Sequence, residues 1–424
     1  MELTGKRLLY IGGASSIADI ARYTRQHGIT LLAAGQVISE EIRNATQEQY
    51  TVDVSDRAAL REIITGHRID GVLVIGNEDI IDCVVQVAEE TGLPFYVNRH
   101  QWTELQNKQN FKKNCRRHGI PVVETYTLTG EKDIPPIPAD AFPVVLKPAD
   151  SCGSKGISVC HSAKALQAAM QKALSFSRSG TFLCEKYMDC PEITVKYLFD
   201  RGEITLWEVN DRYVNRTQKG VGAIANGTVY PSKYTQLYLD TLHPKMVALL
   251  REFEMYNGTM FMQAFVDGDT IRPYDPGLRF SGGLSYFIAR HVFGVNPLEC
   301  MICAALTGRM DPEGEENPLK KIDVNMNGRH LANFSVLVGA GRIGRITGFE
   351  EAAALPEVFK ALQLLHEGDE VTRPGTLQQV LGRFQIEADS REQLEEVIRT
   401  IDRTVRVEDA AGQTMRLVQT MHIL

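Results

Sequence analysis

From Arg7 to Val97 the chain alternates short apolar runs with segments whose apolar residues recur at helical spacing, and few folds accommodate that order. Arg7-Leu-Leu-Tyr-Ile11, Thr30-Leu-Leu-Ala-Ala34, Gly71-Val-Leu-Val-Ile75 and Phe95-Tyr-Val97 read as strands. Ser16 to His27, Asp56 to His67 and Asp79 to Thr91 read as amphipathic helices between them. Such an alternation predicts a doubly wound parallel sheet. Gly12-Gly13-Ala-Ser-Ser16 comes after the first strand, and a helix starting there could hold an anion. The turn lacks the third glycine of a dinucleotide fingerprint, and no acid stands at the end of the second strand. It reads as an ordinary strand-to-helix turn that can touch substrate.

Beyond Gln101 the pattern changes. Asn107 to His118 reads as a helix closed by Gly119 and Pro121. Strands then dominate: Val122 to Leu128, Phe142 to Lys147, Ile157 to Cys160, Phe182 to Tyr187, Ile193 to Phe199 and Ile204 to Asn210. Phe261 to Asp267 and Thr270 to Tyr274 flank Gly268-Asp269 as a hairpin. Leu284 to Leu306 reads as a helix, and Asp311 to Asn317 as a polar linker. The last unit is expected to hold strands at Phe334 to Val338, Arg342 to Phe349, near Phe384 and at Val405 to Glu408, with helices at Ala352 to Leu365 and Arg391 to Thr400.

At 424 residues, 43 % of them hydrophobic, the chain is long enough for two to four domains with a core each. Acidic residues exceed basic ones by seven, and no stretch concentrates Lys and Arg enough to release many counterions, which argues against nucleic acid as a partner. Lys112-Lys113 and Arg116-Arg117 read as a solvated helix face. Four apolar residues before Gly12 are too few for a signal-peptide core and no run has the length of a membrane span, so the expected location is cytoplasmic, away from membranes. Eight scattered cysteines fit reduced thiols. Cys300-Met-Ile-Cys303 has metal spacing but lacks a second pair.

The residues that carry chemistry come in a fixed order. Lys147 ends an apolar strand and leads into Ser151-Cys-Gly-Ser-Lys-Gly-Ile-Ser158, a loop whose Ser151 and Ser154 hydroxyls, Lys155 and backbone N–H groups beside Gly156 can meet phosphate oxygens. Glu185, Lys186, Tyr187 and Met188 form a strand end before Asp-Cys-Pro, where main-chain groups can read adenine; Glu192 can accept from ribose hydroxyls. Gln263 and Asp275 stand twelve apart on the two arms of the hairpin and can face each other as oxygen ligands for Mg2+ (or Mn2+). Arg279 can grip a phosphoryl group bidentately. Asp267 and Asp269 are turn residues.

This constellation resembles the ATP-grasp superfamily, which includes biotin carboxylase, D-alanine-D-alanine ligase, the carbamoyl phosphate synthetase large chain and amino-acid ligases. The resemblance implies an α/β chain in three parts: a Rossmann-like domain at 1–104, a two-part ATP-grasp core at 105–310 hinged near 185–190, and a small closing α+β domain at 311–424. It matches Lys108, eleven before Gly119, and Lys147 to the two phosphate lysines, and Phe265 to the apolar residue under adenine. Arg272-Pro-Tyr-Asp-Pro-Gly-Leu-Arg-Phe-Ser-Gly-Gly283 is similar to the segment Glu-x-Asn-x-Arg. The family usually has Glu at both metal positions and Asn two residues after the second, where this chain has Gln263, Asp275 and Gly277.

Arg342-Ile-Gly-Arg-Ile-Thr-Gly-Phe349 and Gly368-Asp-Glu-Val371 resemble the closing domain of carboxylate–amine ligases. The resemblance implies an ATP- and Mg2+-dependent ligase that joins a small carboxylate to an amine through an acyl phosphate, with Lys108, Lys147 and Arg279 around the transferring phosphate. Arg212 and Arg216 are candidates for holding the carboxylate. A homodimer stays open. The alternatives are a nucleotide-binding protein without turnover, or an ATP-dependent carboxylase or kinase.

Overall fold

The computed structural model describes residues 3–76, 78–126, 136–151, 155–214, 224–311, 317–417, 421 and 423. Two compact units emerge: Met1–Asp189 with Val195–Trp207 and Leu237–Ile322, and Cys190–Thr194 with Glu208–Gln236 and Asp323–Leu424.

The first unit opens with β1 (Arg7–Gly12), β2 (Thr30–Gly35), β3 (Glu48–Thr51) and β4 (Gly71–Ile75), all parallel, in the order β3-β2-β1-β4. Leu8, Leu9, Tyr10 and Ile11 are all buried, as a strand flanked by two neighbours and covered on both faces requires. Asp56 caps the helix Arg57–Gly66 by accepting from the Ala58 and Ala59 amides. The expected parallel sheet is present. Phe95 to Val97, expected as a strand, is irregular and leads into a capping box, Asn98 with Gln101, that starts the helix Arg99–Gln106.

Next come β5 (Val144–Pro148), β6 (Ser158–Cys160) and β7 (Phe182–Lys186), antiparallel in the order β6-β5-β7. Val144, Leu146, Phe182 and Cys184 pack with Ala169, Met170 and Ala173 of the helix Leu166–Ser175. Asn107 caps the helix Lys108–Arg117 through the Gln109 and Asn110 amides. From Val122 to Tyr126 there is no strand, just one bridge between Thr125 and Glu185; residues 127 and 128 lie outside the described residues.

The strands that follow in the chain, divided between the two units, are β8 (Glu192–Asp200), β9 (Glu203–Val214), β10 (Ala225–Tyr230), β11 (Gly258–Asp267) and β12 (Thr270–Gly277). Within the first unit β12, β11, β8 and β9 are hydrogen-bonded in that order. Asp267 pairs with Thr270 around the two-residue turn, and a bulge falls between Gln263 and Ala264. The single helix expected from Leu284 to Leu306 is two, Tyr286–Phe293 and Pro297–Thr307. Gly294 adopts a left-handed conformation and Asn296 caps the second helix ahead of Pro297, so the punctuation overrides the continuous apolar run.

In the second unit the end of β9 pairs with β10, and β10 with β13 (His330–Leu337). The small strands β14 (Gly341–Thr347), β16 (Glu370–Val371) and β18 (Arg406–Asp409) form a separate sheet; β15 (Val358–Gln363) and β17 (Val380–Ala388) complete the larger one beside β13. Phe334, Val336, Phe384 and Ile386 pack against Leu394, Ile398 and Ile401 of the helix Arg391–Thr404. The helix expected from Ala352 to Leu365 ends at Ala353, and 358–363 are strand. Pro356 blocks the helix, and pairing with β17 overrides the helix preference of Ala361 and Leu362.

Candidate functional site

Three lysines of the first unit form its charged centre. Lys108 starts its helix, is 6 % exposed, and reaches 2.9 Å to Asp275 Oδ1 and 2.8 Å to the Ser151 carbonyl. Lys147 stands near the end of β5. It turns onto the neighbouring strand, 2.9 Å from Glu185 Oε2 and 3.3 Å from the Tyr274 carbonyl. Lys112, one helical turn beyond Lys108, donates to Glu185 Oε1, to the Val123 carbonyl at 3.2 Å and to Thr125 Oγ1 at 3.3 Å.

The expectation of a solvated helix face therefore needs correcting. Lys113, Arg116 and Arg117 are exposed, but Lys112 is buried. Burial alone would raise the pKa of the Glu185 carboxyl, but Lys112 and Lys147 overcome that and hold it below the ordinary carboxylate range. The same burial pulls Lys112 down to about 8, against the opposing pull of Glu185.

Gln263 and Asp275 are directly paired across the hairpin, as expected, and the bulge between Gln263 and Ala264 is what brings Asp275 instead of Tyr274 opposite Gln263. Tyr274 donates its hydroxyl to Gln263 Oε1 at 2.7 Å, and the Tyr274 ring stacks on Phe265 at 4.2 Å. One carboxylate and one amide carbonyl side by side suit a minimal Mg2+ site, since magnesium takes one or two carboxylates and fills its shell with phosphate oxygens and water. Among the described residues no group of three His, Cys, Asp or Glu could hold a metal by itself. Gly277 is explained by its partner on β11. A Cβ there would meet the Phe261 ring at 2.2 Å, so the ring fills the space a side chain would need.

Arg279 lies with its guanidinium carbon 4.9 Å from the Phe261 ring centre and donates from Nε to Glu78 Oε1 at 2.8 Å. Gln106 donates to Glu78 Oε2 at 3.0 Å and accepts from the Leu278 amide at 2.8 Å. Glu78 comes just after β4, and the carboxyl ends of β1, β2 and β4 also border a cleft of about 560 Å³ lined by Gly12, Gly13, Gln36, Asp53 and Ser55.

Of the other predicted residues, Lys186 and Tyr187 donate their amides to the Glu124 and Pro143 carbonyls, the Lys186 side chain is exposed, and Met188 is buried. Lys155 is exposed; Gly156, at φ +76°, has Pro148 and Phe176 against the position of any Cβ. Glu192 and Arg212 belong to the second unit, where they form an ion pair in which Glu192 is buried and Arg212 half-buried. Ser154 and Arg216 lie outside the described residues. Cys303 is buried and shares a hydrogen bond with the Tyr23 hydroxyl.

Sequence reasoning missed Lys112, Glu78, Gln106 and Tyr274. Two signals were there to read: Lys112 repeats Lys108 at four-residue spacing, and Glu78 stands at the carboxyl end of a parallel strand, where open α/β sheets bind ligands.

Two family models match, L-amino acid ligase C-terminal domain 2 over residues 334–410 and D-ala D-ala ligase C-terminus over residues 115–217. The crystal structure of L-amino acid ligase from Bacillus licheniformis superposes with a TM-score of 0.77 at 17 % identity, covering 96 % of this chain and 99 % of that one. The chain has the ATP-grasp fold. An ATP-grasp enzyme of Aspergillus fumigatus, fsqD, is 30 % identical over 138 residues, 31 % of this chain and 24 % of the relative. The D-alanine--D-alanine ligase of Ectopseudomonas mendocina is 25 % identical over 206 residues, 47 % of this chain and 60 % of the relative. The chain thus spans less than two thirds of either curated relative. Within the ATP-grasp fold, Lys147, Glu185 and Glu192 fall inside a family-model match, whereas Lys108, Gln263, Asp275 and Arg279 lie outside both. Among the described residues no helix is long and apolar enough to cross a membrane.

Proposed function

We propose that the chain is an ATP-dependent carboxylate–amine ligase that forms an amide or peptide bond and releases ADP and phosphate. The observation that carries this reading is that Lys108 and Lys147 both reach the arm of β12 that bears Asp275, with Arg279 two residues beyond its end. In this reading a carboxylate oxygen of the first substrate attacks the γ-phosphorus of ATP, ADP leaves, and an amine then displaces phosphate from the acyl carbon. Phosphoryl transfer asks the protein mainly for position and for fixed positive charge. Lys108 and Lys147 neutralise the phosphates, and Arg279, held by Glu78, receives the charge that develops on the transferring group. Ser151, Ser154, Lys155 and Gly156 cover the phosphates, the backbone from Glu185 to Met188 reads adenine over Phe265, and Glu192 takes the ribose.

Asp275 and Gln263 would hold Mg2+ (or Mn2+), which supplies further neutralisation of phosphate charge when bound. The three-part division at 1–104, 105–310 and 311–424 belongs to the same proposal, as does a cytoplasmic chain acting on small molecules, with neither nucleic acid nor membrane as partner. Whether it works as a homodimer is read from its mass in solution. The test of function is ADP release against a panel of carboxylates and amines. Release that requires one of each supports the ligase, release with bicarbonate alone replaces it by a carboxylase, and no release with any pair leaves a nucleotide binder.

A further inference from the structure

Glu185 binds two lysines, one on each oxygen, and the two are held differently. Lys112 uses its three ammonium protons on Glu185, the Val123 carbonyl and Thr125, so it is anchored from all sides. Lys147 donates to Glu185 and to the Tyr274 carbonyl and lies 5.5 Å from the Tyr274 ring, beside the arm that carries Asp275. All three charges are buried. A carboxylate in such a place cannot be left without a partner, because stripping one member from a buried ion pair strands the other charge in low dielectric.

We propose that Lys112 is a positioning residue that keeps Glu185 paired while Lys147 moves from Glu185 to the phosphates of ATP. This rests on the nucleotide site proposed above and gives it a charge balance. Two ammonium groups around one carboxylate leave one net positive charge, and Lys147 is the member that can deliver it. Without Lys112, Lys147 would be the sole counter-ion of a buried carboxylate and ATP would have to break that pair to bind.

The groups that face Lys112 are Glu185 on β7, Lys147 on β5, and Cys115 and Arg116 on its own helix; Val123 and Thr125 contribute uncharged atoms. The two cations and burial favour loss of its proton, and Glu185 opposes them, which leaves Lys112 titrating near 8. Above that pH the neutral amine no longer balances Glu185. Affinity for ATP should therefore fall as pH rises through about 8.

The test uses the whole chain and the β,γ-imido analogue of ATP, with dissociation constants measured by calorimetry from pH ~7 to ~9.5 and melting temperatures recorded for each variant. Lys112→Met should weaken binding by on the order of 10²-fold and flatten its pH dependence. Lys112→Arg should keep the affinity and stay flat to higher pH, since guanidinium does not titrate there. The double variant Lys112→Met with Glu185→Gln should recover binding to within a few-fold of the parent, because no buried carboxylate is left to hold Lys147. Unchanged affinity in Lys112→Met, or a double variant that binds no better than Lys112→Met, would overturn the proposal while leaving the nucleotide site standing. Failure of the parent chain to bind the analogue at any pH would overturn both.

Discussion

Arg279 Nε and Nη2 both donate to a single oxygen of Glu78, at 2.8 and 2.7 Å, although the two residues stand 201 positions apart in the chain. The second oxygen of Glu78 accepts from Gln106, so the carboxylate ties the end of β4 to the residues just past β12. The guanidinium is held from one side by an acid and from another by the Phe261 ring.

Glu78→Gln should leave the fold intact and lower kcat by about 10- to 10²-fold, the cost of letting a positioned group drift by about an ångström. Arg279→Lys should cost more, since an ammonium cannot reproduce two parallel N–H donors. Steady-state ADP release gives both numbers. Equal kcat for Glu78→Gln and the parent would mean that Arg279 is oriented by substrate and not by Glu78.

Lys147 and Lys155 are predicted to differ. Lys147 is buried beside Glu185 and Tyr274, whereas Lys155 is exposed. Lys147→Ala should reduce turnover by about 10²- to 10³-fold, as expected when a cation opposite developing charge is removed. Lys155→Ala should have the smaller effect. The reverse order in the same assay would relocate the triphosphate.

At the metal position, Asp275→Asn should abolish turnover at about millimolar Mg2+, because it removes the one carboxylate of the pair. Gln263→Glu should lower the Mg2+ concentration that gives half-maximal rate, and Tyr274, which now donates to Gln263, would still have an acceptor. Rate against Mg2+ concentration for the parent and the two variants decides; three superimposed curves would mean that a metal is held elsewhere.

Gly156 stands at φ +76°, and a Cβ there would lie 2.8 Å from Pro148 Cγ and 2.9 Å from Phe176 Cβ. Gly156→Ala should therefore destabilise the chain by about 1–3 kcal/mol, from backbone strain and overpacking together. A melting curve checks this, and a midpoint equal to the parent's would show that the loop relaxes freely.

The sequence by itself determined the elements whose periodicity is local: the four parallel strands apart from β3, the helices Ile17–Gln26, Arg57–Gly66 and Glu78–Thr91, and the hairpin. The two-residue turn fixes the register as far as Ala264, and there the bulge, which spacing does not announce, places Gln263 opposite Asp275 instead of Tyr274. Local reading failed where packing overruled propensity, at 358–363, which are strand because β17 offers hydrogen bonds that a helix stopped by Pro356 cannot. It also failed for Phe95 to Val97, whose apolar residues serve as an entry to a capped helix.

The site divides along the same line. Lys147, Asp275 and Arg279 could be picked out from order and spacing, and Lys108 from the family resemblance, yet what each of them touches is set by residues remote in the chain. Lys112 looked like surface charge because its neighbours Lys113, Arg116 and Arg117 are surface charge. What buries it is a carboxylate 73 positions away, and what orients Arg279 is an acid at the end of a strand in the parallel sheet. A buried charge is decided by its partners, and partners that far apart meet through the folding of the chain alone.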